Sequence, residues 1–164
     1  MPLPKTPVTK EKALERLMSL CARSEQCEFE LERKLYNWGI SKPQRKEIVT
    51  YLQENRYLND ARFAKCFAKD KAKFSSWGPL KIKAELIRRK IQPLFIREAI
   101  DAVEPDVWKE TILKCARAKA RALRLPEENS IENKQKLFRY LISRGFPSSL
   151  AFKAVNFILR PQND

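Results

Sequence analysis

Four cysteines, Cys21, Cys27, Cys66 and Cys115, carry the only thiols in the chain, and there is no histidine. Without histidine, zinc sites completed by imidazole and all histidine-based acid–base catalysis are excluded. No two cysteines form a Cys-x-x-Cys pair. Cys66 and Cys115 fall inside predicted helices, where a buried thiol packs as a small hydrophobe. Cys21 and Cys27 are near enough in sequence to approach each other, although a disulfide is unusual in the cytosol. The acidic pairs Asp101/Glu104 and Glu127/Glu128 read as helix-end or loop charges rather than a metal-binding nuclease site. Asp60 is a metal ligand in principle, but helix capping accounts for it without one. Neither a Gly-x-x-x-x-Gly-Lys phosphate loop nor a Gly-x-Ser-x-Gly elbow occurs. The expectation is a protein that is not an enzyme and uses no metal or cofactor.

Positive charge offers a different chemistry. The 164 residues carry 34 Lys/Arg against 20 Asp/Glu, a net charge of +14, which calls for an acidic partner, nucleic acid being the commonest. The excess is uneven: residues 10–58 hold ten Lys/Arg against eight Asp/Glu, residues 62–97 eleven against two, and residues 109–124 six against one. Lys69, Lys71 and Lys73 precede Phe74, Trp77 and Gly78; Lys81, Lys83, Arg88, Arg89 and Lys90 follow. Further on, Lys114, Arg117, Lys119, Arg121 and Arg124 cover most of a helix away from its apolar side. These cations form the candidate binding face. A patch touching about four to six phosphates gives affinity that falls steeply with salt. Phe74 and Trp77 are candidates for base stacking beside the basic run. Packing of Trp77 under its own loop is an equal reading, whereas Trp38, Trp108, Phe63 and Phe67 fall on apolar helical stripes.

The elements that position these residues read as helices throughout. Only three glycines, with abundant Leu, Ala, Lys, Arg and Glu, point to an all-α protein. The arm 1–8, with Pro2, Pro4 and Pro7, reads as flexible. Thr9 caps a first helix, a second runs from Glu28 to Trp38-Gly39, and Pro43 opens a third. Asn59 and Asp60 are good N-caps for a helix reaching Phe74. The unit then recurs. A shift of 51 lays Leu31, Leu35, Ile40, Val49 and Leu52 onto Ile82, Leu86, Ile91, Ile100 and Val103; a further 55 reaches Leu137, Leu141, Phe146, Val155 and Ile158. The helix-ending Gly39 recurs as Gly145 but is Lys90 in the middle unit, and Pro93 and Pro147 mark the third helices. First helices of the later units run from Asp60 to Phe74 and from Asp106, after Pro105, to Arg124. The expected organisation is three tandem three-helix repeats, 9–57, 58–104 and 105–160, stacked into an elongated, curved array. No signal peptide or membrane span is evident, so the chain reads as cytoplasmic.

The block Tyr57-Leu58-Asn59-Asp60-Ala61-Arg62-Phe63-Ala64 resembles the Tyr-Leu-Asp-Asp-x-x-Phe-Ala signature of the RecX family, bacterial regulators of the RecA recombinase. The three repeats, the Leu86–Ile91 stretch and Leu141-Ile142-Ser143-Arg144-Gly145-Phe146 extend the likeness over nearly the whole chain. Asn59 departs from the signature but keeps its capping ability, and Lys90 stands where the family usually has glycine, which is expected to tighten or distort that helix end. The resemblance implies a monomeric, cytoplasmic protein of DNA repair and the SOS response. It would lodge in the groove of the RecA filament on DNA, bridge protomers, and mostly inhibit recombinase, ATPase and coprotease activity. DNA contact, single- or double-stranded, would be independent of sequence. Two rivals stand beside this reading. One is a stand-alone DNA-binding protein of helix-turn-helix type, although the third helices offer few cations: Arg45, Lys46 and Arg56 in the first unit, opposed by Glu47 and Glu54. The other is a helical-repeat adaptor for some other acidic protein.

Overall fold

The structure, a computed structural model, describes residues 7–124 and 131–160. Residues 1–6 of the expected arm, and Glu127 and Glu128, lie outside these. The described residues form nine helices in three successive triplets: α1 (Lys10–Arg23), α2 (Glu28–Asn37) and α3 (Lys42–Glu54); α4 (Asp60–Phe74), α5 (Pro79–Arg88) and α6 (Pro93–Asp101); α7 (Pro105–Ala122), α8 (Ile131–Ser143) and α9 (Ser148–Ile158). Local chemistry sets their limits. Thr9 Oγ1 accepts from Lys12 N–H at the start of α1, and Asn59 Oδ1 accepts from Arg62 N–H at the start of α4, 2.9 Å away. A proline in the first turn opens α3, α5, α6 and α7, where its missing N–H costs nothing. The end of α7 differs from expectation: it closes at Ala122, because Arg124 turns into the left-handed region at φ +49°.

Each triplet closes on its own core. Leu31, Leu35, Ile40, Val49 and Leu52 are buried in the first. Ile82, Leu86, Ile91 and Val103 are buried in the second, with Ile100 packed against them. Leu137, Leu141, Phe146 and Val155 are buried in the third, with Ile158 beside them. At about 1.5–3 kcal/mol per buried aliphatic side chain, these small cores hold the triplets together. Three separate cores in chain order make an elongated array. Every second helix ends in the same way: the N–H groups of Ile40, Ile91 and Phe146 donate to the carbonyls of Leu35, Leu86 and Leu141. The intervening residue is left-handed in each, with φ +77° at Gly39, +55° at Lys90 and +91° at Gly145. Lys90 therefore leaves the turn undistorted, against expectation, and holds the strained conformation itself.

Two joints connect the triplets. At the second, Gly78 N–H donates to Arg144 O (2.7 Å) and Leu80 N–H to Gly145 O (2.9 Å), so the free donors opening α5 are met by the carbonyls closing α8. Arg144 donates to Ser75 O, and the Thr111 hydroxyl on α7 donates to Ala72 O on α4, 3.2 Å away. At the first joint, Asp60 Oδ1 accepts from Glu28 N–H (2.9 Å). Asp60 is thus a cap, but of α2 and not of its own helix. Arg62 pairs with Glu25 (2.5 Å), Arg89 with Glu30 (3.1 Å), and the buried Cys27 belongs to the core of the second triplet. The second helices consequently follow one another head to tail, the start of α2 at the end of α5 and the start of α5 at the end of α8.

The cysteines are all free thiols. Cys115 is buried as expected, but Cys66 is exposed on the outer side of α4, a correction to its placement among core thiols. Burial pushes the Cys27 thiol up to about 11. Trp38 packs against the first core, and Phe67 and Trp108 against the second, which also buries Phe63.

Candidate interaction surface

The candidate binding face is built on α4 and α7. The first buries Phe63, Ala64, Ala68 and Ala72 and turns Lys65, Lys69 and Lys73 outward at successive i,i+4 positions. The second buries Thr111, Ile112, Cys115 and Ala116 and exposes Lys114, Arg117 and Arg121. Because Thr111 bonds to Ala72 O where these helices meet, Lys73, next to Ala72, and Lys114, one turn beyond Thr111, flank the crossing. Among the described residues, none of these cations has a carboxylate within ion-pair distance. Like charges at i,i+4 cost an isolated helix roughly 0.2–0.5 kcal/mol per pair. An uncompensated row of them opposes stability and favours an anionic partner.

The structure divides the thirteen candidate cations. Lys69, Lys73, Lys83, Lys114, Arg117, Arg121 and Arg124 are exposed and make no ion pair among the described residues, Arg121 donating only to Arg117 O one turn back. The other six are engaged within the molecule. Arg89 is largely enclosed and bonds Glu85 at 2.6 Å as well as Glu30. Arg88 also pairs with Glu85, at 2.9 Å. Hydrogen bonds from Arg89 and Arg88 hold the Glu85 carboxyl below its usual range. Lys71 and Lys81 lie 4.7 and 4.6 Å from the ring of Trp77, Lys90 is 5.4 Å from Phe29, and Lys119 is 4.6 Å from Tyr140. Trp77 also meets Phe67 edge-on and packs partly buried against the second core, whereas Phe74 is 82% exposed. Lys65 is the cation that charge clustering overlooked; its i,i+4 register with Lys69 and Lys73 is the signal that identifies it.

The third helices offer little for reading bases. Arg45 is spent on Glu32 (2.5 Å) and Ile40 O, and Glu47 is paired with Lys10. On α6 the exposed residues are Pro93, Leu94, Arg97, Glu98 and Asp101. No group of three or more His, Cys, Asp or Glu able to hold a metal occurs among the described residues, and no helix there is long and apolar enough to cross a membrane.

The family models named RecX, second three-helix domain and RecX, third three-helix domain match residues 59–100 and 109–155, the second and third triplets. A regulatory protein RecX of Pasteurella multocida is 33% identical over 135 residues, covering 82% of this chain and 80% of its own. The chain belongs to the RecX family. A regulatory protein RecX of Clostridium perfringens is 31% identical over 73% of this chain, and the chain spans 55% of that relative's length. The fold is that of RecX crystal structures: the one from Lactobacillus salivarius gives a TM-score of 0.76 at 19% identity, over 91% of this chain and 96% of that one. A second, titled regulatory protein RecX, gives 0.76 at 22% identity, over 88% and 71%.

Proposed function

We propose that this chain regulates the RecA recombinase by binding the RecA filament on DNA and restraining its recombinase, ATPase and coprotease activities. The observation that carries this reading is the unpaired cation row on α4 and α7, set on the array of a RecX-family protein. An elongated stack of small rigid units suits the helical groove of a filament, where it bridges neighbouring protomers. The row meets phosphates, or acidic side chains beside them, without reading sequence: its lysines are point charges, and its arginines stand exposed on a helix surface with no neighbouring side chain to aim them at base edges. The effect is steric or allosteric, with no bond made or broken by the chain.

The test is the ATPase rate of RecA on single-stranded DNA as this protein is titrated in at physiological salt. Inhibition at well below one molecule per RecA protomer is expected. An unchanged rate, with tight binding to bare DNA instead, overturns the reading in favour of a stand-alone DNA-binding protein.

A further inference from the structure

Large apolar side chains stand exposed at one repeated position. Tyr36, Ile87 and Ile142 are 68%, 56% and 40% exposed. They are separated by 51 and 55 residues, the same shifts that superpose the cores. Each directly follows the fully buried leucine of its second helix, Leu35, Leu86 or Leu141, which performs the packing. No other exposed large apolar position recurs through all three triplets among the described residues; Tyr51 and Phe157 correspond, but Ala102 lies between them. One such side chain on a surface is ordinary, and Tyr36 has the Arg45 guanidinium 5.5 Å from its ring, but that contact concerns one residue of the three and does not account for the recurrence. Each also has an exposed cation about one turn before it with no ion-pair partner among the described residues: Arg33 and Arg139 three residues before, and Lys83 four before, the equivalent middle position being Ala84. Because the second helices run head to tail, these spots are set out along the array at intervals of roughly one helix length, about 15 Å for ten residues plus a turn.

We propose that this row is a protein-docking face, separate from the α4/α7 cations, and that its partner is an assembly of identical subunits. Each subunit offers one repeat an apolar spot rimmed by acidic side chains. The inference rests on the filament reading and assigns to it the contact made with protein. A second copy of the chain is a poor occupant, since cations would face cations on molecules of net charge +14. A nucleic acid is equally poor, since the aliphatic Ile87 and Ile142 give bases no ring on which to stack. Similar spots at nearly regular spacing gain most from a partner that repeats as well: each contact is weak, and linked together they give avidity that a lone subunit cannot reach.

The experiment compares the wild-type chain with the triple variant Tyr36→Ser, Ile87→Ser, Ile142→Ser. Both are titrated against RecA filaments assembled on single-stranded DNA with a non-hydrolysable ATP analogue, and against the bare DNA. The exposure of the three sites leaves helicity unchanged, which circular dichroism checks. The triple variant is expected to lose at least about tenfold on filaments, each single variant less, and binding to bare DNA to stay within about twofold. Undiminished filament binding by the triple variant overturns the inference while leaving the filament reading intact. An equal loss on bare DNA also overturns it and makes the row a nucleic-acid contact. Failure of the wild-type chain to bind filaments removes both readings.

Discussion

Three residues occupy the same left-handed turn, and each is constrained differently. A Cβ on Gly39 meets no atom within 4 Å, so Gly39→Ala carries only the conformational cost of the left-handed region, about 1 kcal/mol. A Cβ on Gly145 overlaps the backbone and Cβ of Lys81, so Gly145→Ala also breaks the second joint and is expected to cost about 3 kcal/mol or more. Lys90→Gly relieves strain and is expected to raise stability by up to about 1 kcal/mol, less whatever the contact with Phe29 contributes. Thermal unfolding of the three variants orders them; similar losses for Gly39→Ala and Gly145→Ala dispose of the joint argument. The sequence displays both glycines as helix ends, because Leu-x-x-x-Gly-hydrophobic punctuation is local. It does not display the second duty of Gly145, because Lys81 lies 64 residues earlier.

At the level of elements, the helices and their apolar faces were legible in the sequence, since caps, prolines and leucine spacing act within a few residues. The joints were not. Asp60 reads as a cap for α4, yet it caps α2, a helix that begins 32 residues before it. Asp60→Ala leaves Glu28 N–H without its acceptor and is expected to cost about 1 kcal/mol, with faster amide exchange at the start of α2; Asp60→Asn retains an acceptor and most of the stability. The pH dependence follows from burial, which raises the Asp60 and Glu28 carboxyls above their ordinary values. A raised carboxyl value means that ionisation works against the folded state, so this cost is relieved as pH falls through the folded-state values. The wild type is therefore expected to gain on Asp60→Asn in melting temperature between about pH 7 and about pH 4.5. A wild-type melting temperature that drops relative to Asp60→Asn over this interval contradicts the assignment.

For the whole molecule, the charge imbalance was legible and its division was not. Clustering marked the middle triplet and α7 correctly as basic, but which cations are free depends on partners from distant segments, such as Glu30 for Arg89. Reversing Lys65, Lys69 and Lys73 to Glu is expected to weaken binding to filaments and DNA and to flatten the slope of log affinity against log salt by about two to three. Helicity should persist. Arg89→Glu sets a carboxylate against Glu30 and Glu85, and is expected to cost about 3 kcal/mol. Its loss of binding would accompany unfolding, and chemical denaturation distinguishes the two variants. Equal salt slopes for the wild type and the Lys65/Lys69/Lys73 variant move the binding face elsewhere.

The contact of Gly78 with the turn at Gly145 bears on how this molecule can vary. A side chain at Gly78 runs into the carbonyl of Gly145 and the nitrogen of Phe146, and one at Gly145 runs into the start of α5. Neither position can therefore be altered first without opening the joint. After one has changed, the other loses most of its reason to stay glycine. The two are therefore expected to be lost together with a reshaped loop or kept together, even though 67 residues separate them in the chain.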